Sequence, residues 1–129
     1  MTAGRSRPVR DVGSAVVEFV VVVPMLALLA LGVVQVGLAL YVRSTIASAA
    51  AEGARVAAVS GGDLASGEAR TRAALAGSLA DGVVDDVAVT RGASRGVVTL
   101  DVVVRARLPL VGLLGPTVLE VHGHAIAEA

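Results

Sequence analysis

The sequence predicts an α+β protein with a long N-terminal membrane-spanning helix, a short second helix and about three antiparallel strands. The first observation is a run of 24 uncharged residues from Phe19 to Val42. The second is a change from helical to alternating hydrophobic periodicity in the last third of the chain. The third is the small size of the chain, 129 residues with a mean hydropathy of +0.80, which suggests one unusually apolar unit.

The composition excludes several classes of function. The net charge is zero and aromatic residues make up 2% of the chain. Both values argue against nucleic-acid binding through bulk positive charge or stacking platforms. Cysteine is absent, which excludes disulfides, thiolate metal sites and cysteine nucleophiles.

The uncharged run is long enough to cross a membrane. At about 1.5 Å per helical residue it covers about 36 Å, against a hydrocarbon core of about 30 Å. Arg5, Arg7 and Arg10 precede the run, and only Asp11 opposes them. The positive-inside rule therefore places the N-terminus in the cytoplasm and the rest of the chain outside, as in a single-pass protein of the cytoplasmic membrane.

The first helix is expected to continue beyond the membrane. The sequence after the run is rich in alanine and has no proline up to about Ser60, where Gly61-Gly62 ends the helix. Glu52 and Arg55 are three residues apart and can pair on one face of it.

A second helix is predicted from Asp63, a suitable N-cap, to Ala80, and Asp81-Gly82 ends it. Its amphipathic pattern is modest. The residues expected on one side are Leu64, Glu68, Leu75 and Leu79.

Three strands are predicted in the remaining sequence. They are Val83–Thr90, the alternating stretch from Gly96 to Leu108, and Thr117–Glu128. The turn-rich RGASRG joins the first two, and the apolar Leu108–Pro116 segment is expected to be a packed loop.

Each of the two longer strands has one apolar face. In the second strand this face comprises Val98, Leu100, Val102, Val104, Ala106 and Leu108. In the third strand it comprises Leu119, Val121, Ala125 and Ala127, and the opposite face carries Glu120, His122, His124 and Glu128.

No catalytic, cofactor-binding or metal site is expected. His122 and His124 have the spacing of a metal pair beside Glu120, but a solvated polar strand face explains them better. Asp85-Asp86 is expected to be a solvated acidic pair. The hydroxyl residues lack a base nearby in the sequence, so the chain is not expected to be an enzyme.

The start of the apolar run carries a short motif: Gly13, four residues beginning with Ser14, then Glu18 and Phe19. This is the substrate pattern of prepilin peptidases, and the sequence resembles the TadE-like pseudopilin family of tight-adherence (Tad/Flp) pilus and secretion systems. The resemblance extends to three further elements. They are Pro24, the GVVQVG stretch from Gly32 to Gly37, and Glu52-Gly53-Ala54-Arg55.

The resemblance implies a pilin-like fold and cleavage after Gly13 by a prepilin peptidase. Other pilins or pseudopilins and proteins of the Tad machinery are the implied partners. The chain departs from the family at Gln35, where an acidic residue is common, and at Val36, where an aromatic is common. Because Ser14 follows the glycine, the N-methylphenylalanine chemistry of ordinary type IV pilins does not carry over.

Physical chemistry gives the motif residues plausible roles. Gly13 allows close approach of a protease to its backbone. Glu18 would cost several kcal/mol in an apolar bundle unless paired, and the new α-amine of Ser14, in its own or a neighbouring subunit, is the implied partner. Pro24 removes a helical hydrogen bond and can kink the helix. Gln35 can bond to another helix in the membrane, whereas Gly32 and Gly37 are too far apart for a GxxxG pair.

The sequence thus predicts a basic cytoplasmic leader at 1–13, a membrane helix with an outer extension at 14–60, and a small outer α+β domain at 61–129. The expected function is that of a minor pseudopilin, either incorporated into a pilus or supporting its assembly. Two alternatives stay open. One is a signal-anchored protein whose outer domain binds a ligand, and the other is a small secreted protein cleaved near Ala49, after an A-x-A sequence.

Overall fold

The computed structural model describes residues 12–61, 63–79, 82–108 and 117–127. They form two helices and three strands, in agreement with the predicted α+β class. The elements are α1 (Val12–Val59), α2 (Leu64–Ala76), β1 (Val84–Ser94), β2 (Val97–Leu108) and β3 (Thr117–Ile126). The chain divides into two compact parts, one ending at Val34 and the other beginning at Gln35. The domain boundaries predicted at residues 13 and 60 stay predictions.

The described residues of the part up to Val34 form the first half of α1. All described side chains from residue 13 to residue 34 are exposed. The most apolar window of 18 residues in α1 has a mean hydropathy of 2.6, and 0% of it is buried. In the described part of the chain, α1 is therefore the helix with the length and composition to cross a membrane.

In the second part, α1 buries a stripe of small and branched side chains. The stripe repeats at the three- and four-residue spacing of one helix face. Its members are Val42, Ile46, Ala49, Ala50, Gly53, Ala54, Ala57 and Ala58. As predicted, α1 ends just before Gly61, which has a φ of 71°, the left-handed conformation that commonly follows a helix.

The sheet is antiparallel in the order β1-β2-β3. The predicted apolar face of β2 is confirmed from Leu100 to Leu108, but Val98 is 43% exposed. Most cross-strand neighbours of this face are also apolar. Val87 of β1 and Val121 of β3, for example, both pair with Val104. Most of these residues and of the α1 stripe form the main core, and Ala57, Ala58 and Leu100 form a second, smaller cluster.

Helix α2 is shorter than predicted. Asp63 caps it as expected, and its carboxylate accepts from the backbone N–H groups of Ala65 and Ser66, each at 3.2 Å. The helix ends at Ala76 rather than Ala80, because the N–H groups of the next residues fold back onto the Leu75 carbonyl oxygen. The buried residues of α2 are Gly67, Thr71 and Leu75. Of the other residues predicted on one side, Leu64 and Leu79 are half-buried and pack against the core, whereas Glu68 pairs with Arg72.

The link between β1 and β2 is also shorter than predicted. Strand pairing continues through most of RGASRG, and the turn is confined to Arg95 and Gly96. Their φ values are 53° and 81°, as expected for a two-residue hairpin turn that matches the twist of the strands. The predicted loop between β2 and β3 and the predicted Glu128 position lie outside the described residues.

Candidate functional site

The N-terminal motif lies in the first turns of α1. Gly13 and Ser14 are already helical, and Glu18 follows Ser14 by four residues, so the two share a face. Both are exposed, and Phe19 is 68% exposed. Apart from the neighbouring residues and the nearby backbone of α1 itself, no described atom lies within 4 Å of a Cβ built on Gly13. Packing of the described chain therefore does not explain this glycine.

The motif residues further along α1 are not gathered into one cluster by packing of the chain. The helix is continuous through Pro24, and the predicted kink there stays a prediction. A Cβ on Gly32 would meet no described atom within 4 Å, and the same holds for Gly37 in the second part of the chain. Gln35 is half-buried. These positions remain candidates for contacts with other helices.

The Glu52-Gly53-Ala54-Arg55 motif lies where α1 contacts α2. A Cβ on Gly53 would overlap the Thr71 hydroxyl oxygen and lie 2.7 Å from the Gly67 carbonyl oxygen. A Cβ on Gly67 would in turn lie 2.7 Å from the Cβ of Ala57. The glycine of the motif is therefore required by the close approach of two helix backbones.

Glu52 is bonded across the same contact, but to a different residue than predicted. Its Oε1 accepts from Arg70 Nε at 2.9 Å and also contacts Nη2 of that guanidinium. The sequence suggested Arg55, which shares the helix and is exposed in the structure. Arg70 reaches Glu52 because the Gly53–Gly67 contact brings α2 against α1. The ion pair thus joins the two helices instead of lying along one of them.

Gly123 in β3 makes a close contact with α1 that was not predicted from the sequence. A Cβ there would lie 2.6 Å from the carbonyl carbon and 2.8 Å from the Cβ of Ala50. A lone glycine inside an alternating strand often marks such an approach of another backbone, and this signal could have identified it. The three glycines at 53, 67 and 123 hold α1 against both α2 and the sheet.

The outer face of the sheet carries the two histidines. His122 Nε2 lies 3.3 Å from a Glu120 oxygen, and His124 Nδ1 contacts the Asp101 carboxylate. The two rings stack with centroids 6.2 Å apart. Among the described residues, no group of three or more His, Cys, Asp or Glu side chains is placed to hold a metal ion. Asp85 pairs with Arg107 at 2.8 Å and is therefore part of this charged surface.

Part of the chain matches a known protein family. The model of a family described as TadE-like protein matches residues 13–55. Neither the curated proteins nor the solved structures provide a match. The matched segment begins at Gly13 and ends at Arg55, so it contains every residue of the N-terminal and post-membrane motifs. This match indicates involvement in a Tad pilus system.

Proposed function

Because residues 13–55 of this chain are TadE-like, we propose that it is a minor pseudopilin of a Tad/Flp-type pilus or secretion apparatus. A prepilin peptidase processes it after Gly13. The chain is a substrate and an assembly component, not an enzyme. Its partners are the membrane, the peptidase, other pilins or pseudopilins and the Tad machinery.

The contrast between two glycines of the matched segment supports this proposal best. Gly53 is explained within the chain by its contact with α2, whereas Gly13 has no described neighbour within 4 Å of a built Cβ. Gly32 and Gly37 are equally open, but of the three only Gly13 stands five residues before an acid at the start of the apolar run. A peptidase that must approach the backbone closely would favour glycine at this position.

The processing step is a hydrolysis. Water adds across the Gly13–Ser14 peptide bond, which leaves a carboxylate on Gly13 and an α-amine on Ser14. The amine is largely protonated at neutral pH. Glu18 then lies one helical turn from a new positive charge, and either this amine or that of a neighbouring subunit can neutralise the acid inside an apolar assembly.

The proposed orientation follows from the charges at the head of the chain. Arg5, Arg7 and Arg10 remain in the cytoplasm, where the peptidase removes them, and α1 crosses the membrane. The domain with the sheet is then outside. Its charged outer face is available for contacts within the apparatus.

N-terminal sequencing of the mature protein from cells with an active Tad system tests the proposal. We expect Ser14 as the first residue. An intact N-terminus would instead support a signal-anchored protein, and Ala50 would support secretion after signal cleavage.

A pair of matched variants makes the test sharper. Gly13→Leu is expected to abolish processing, because the added side chain prevents backbone approach. Gly32→Leu is the control, since a Cβ at this position also meets no described atom within 4 Å. Equal processing of both variants would contradict a specific role for Gly13.

A further inference from the structure

A groove of about 320 Å³ lies in the second part of the chain, between α1 and the end of α2. Tyr41, Ser44, Thr45 and Ser48 line it from one face of α1, and Ser78 lines it from the other side. We call it the hydroxyl groove, after these five side chains. At about 30 Å³ per water molecule, it has room for a ligand the size of roughly ten waters.

The hydroxyls on α1 are available for a ligand. Serine and threonine inside a helix often bond back to a carbonyl oxygen one turn earlier. Thr71 and Ser78 do so here, at 2.9 and 3.0 Å. Within the described part of the chain, the hydroxyls of Ser44, Thr45 and Ser48 make no hydrogen bond.

The lining favours an uncharged, hydroxylated ligand. Each hydroxyl can both donate and accept a hydrogen bond, as the hydroxyls of a polyol do. Among the described lining residues, the one charged side chain is Glu52, and Arg70 already binds its carboxylate. The groove therefore offers neither a cation for a phosphate nor a free acid for an amine.

The position of the groove along α1 indicates where its ligand comes from. The uncharged run ends at Val42, one residue after Tyr41. In a bilayer of about 30 Å core and about 40–45 Å total thickness, each head-group layer is about 5–8 Å deep. Counted along the helix from Val42, Ser44 and Thr45 lie about 3–5 Å away, at the level of the lipid head groups, and Ser48 lies about 9 Å away, at the outer edge of that layer. A tyrosine at this boundary is typical of membrane proteins.

We propose that the hydroxyl groove binds the head group of a membrane lipid that carries free hydroxyls, of the glycerol or sugar type. The α1 hydroxyls pair with those of the head group, and its acyl chains remain in the bilayer beside α1. A choline head group, which has no hydrogen-bond donor, is not retained. The binding is independent of processing at Gly13, so the failure of either proposal leaves the other intact.

The chain contains an intrinsic probe for this binding. Tyr41 is its single tyrosine, and there is no tryptophan. The full-length protein is placed in nanodiscs of phosphatidylcholine with increasing fractions of phosphatidylglycerol or of a galactosyl diacylglycerol. We expect a saturable change in Tyr41 emission with both hydroxylated lipids and none with phosphatidylserine, which is anionic but lacks a polyol. An equal response to phosphatidylserine, or no response to either hydroxylated lipid, would overturn the proposal.

A groove-filling variant and its control complete the test. Ser48→Leu is expected to raise the lipid fraction needed for half-maximal response at least tenfold, whereas Ser60→Leu, beyond the end of α1, leaves it unchanged. The combined Ser44→Ala and Thr45→Val variant removes two hydroxyls while keeping the groove open, and should also weaken binding. Unchanged hydrogen exchange in β2 confirms that each variant is folded. Parent-like binding by folded Ser48→Leu would refute the assignment.

Discussion

Gly53 of α1 and Gly67 of α2 contact each other through their backbones, because a Cβ on Gly67 would lie 2.9 Å from the Gly53 carbonyl oxygen. Gly53→Ala is therefore expected to destabilise the second part of the chain by about 1–3 kcal/mol, as overpacking does, despite the better helix propensity of alanine. Hydrogen exchange of the β2 amides in the full-length protein measures the loss. Gly37→Ala is the control, with no described atom within 4 Å of the added Cβ. Equal protection in the two variants would show that the helices can separate freely.

Thr71 supplies the side chain that an alanine at 53 would meet first. Thr71→Ala removes its hydroxyl, and so it should rescue part of the loss caused by Gly53→Ala. The rescue is incomplete, because the Gly67 carbonyl oxygen, 2.7 Å from the added Cβ, remains. A double-mutant cycle measures the coupling, expected to be about 0.5–3 kcal/mol for residues in contact. Strict additivity would show that α2 moves away from α1 instead of clashing.

Gly123→Ala should be more damaging than Gly53→Ala. The added Cβ would lie 2.6–2.8 Å from the backbone and Cβ of residue 50, which cannot rotate away. We expect a loss of about 3 kcal/mol or more, at the upper end of overpacking effects. Gly92→Ala is the matched strand control, since its nearest atoms, at 3.1 Å, belong to the side chains of Thr99 and Asp101. Limited proteolysis compares the two variants, and similar resistance would refute a fixed crossing of α1 over β3.

The Glu52–Arg70 pair joins two helices but remains partly exposed, with side-chain exposures of 44% and 51%. Such a pair contributes about 0.2–1 kcal/mol, and less at high salt. Glu52→Gln should therefore lower stability only slightly, and the difference from the parent should shrink between low and high ionic strength. A loss above about 2 kcal/mol, independent of salt, would mean that Glu52 has a further partner.

Glu18→Gln separates processing from assembly. Because the amide keeps the shape but loses the charge that an α-amine would neutralise, we expect normal cleavage after Gly13 and reduced incorporation into the pilus apparatus. N-terminal sequencing and fractionation of assembled material measure the two effects. Glu68→Gln, in α2, controls for loss of a carboxylate elsewhere. Wild-type assembly of Glu18→Gln would eliminate a registration role for this acid.

The helices and strands of the fold could be predicted from the sequence. The uncharged run, the alternating pattern of β2 and the Asp63 cap each depend on residues close in sequence, and the structure confirms them. The buried face of α2 could not be deduced in this way. Gly67 and Thr71 are weakly hydrophobic and are buried only because another backbone approaches them.

The same distinction applies to the candidate site: features formed by residues close in sequence could be identified, and contacts made by tertiary packing could not. The N-terminal motif is recognisable from spacing, and the family match begins at Gly13. The partner of Glu52 was misassigned because Arg70 is 18 residues away and is brought near by tertiary packing alone. The contact of Gly123 with Ala50 joins residues still further apart in the sequence.

The glycine contacts of α1 also have a mechanical consequence. Side chains between packed elements act as compliant spacers, since they can change rotamer under load. At Gly53 and Gly123 there is no such spacer, because backbone meets backbone or the first carbon of a neighbour. A rotation or pull applied to α1 between Ala50 and Ala57 would therefore be transmitted to α2 and β3 with little slack. In the second part of the chain, this segment of the helix and the sheet can therefore move as one rigid body.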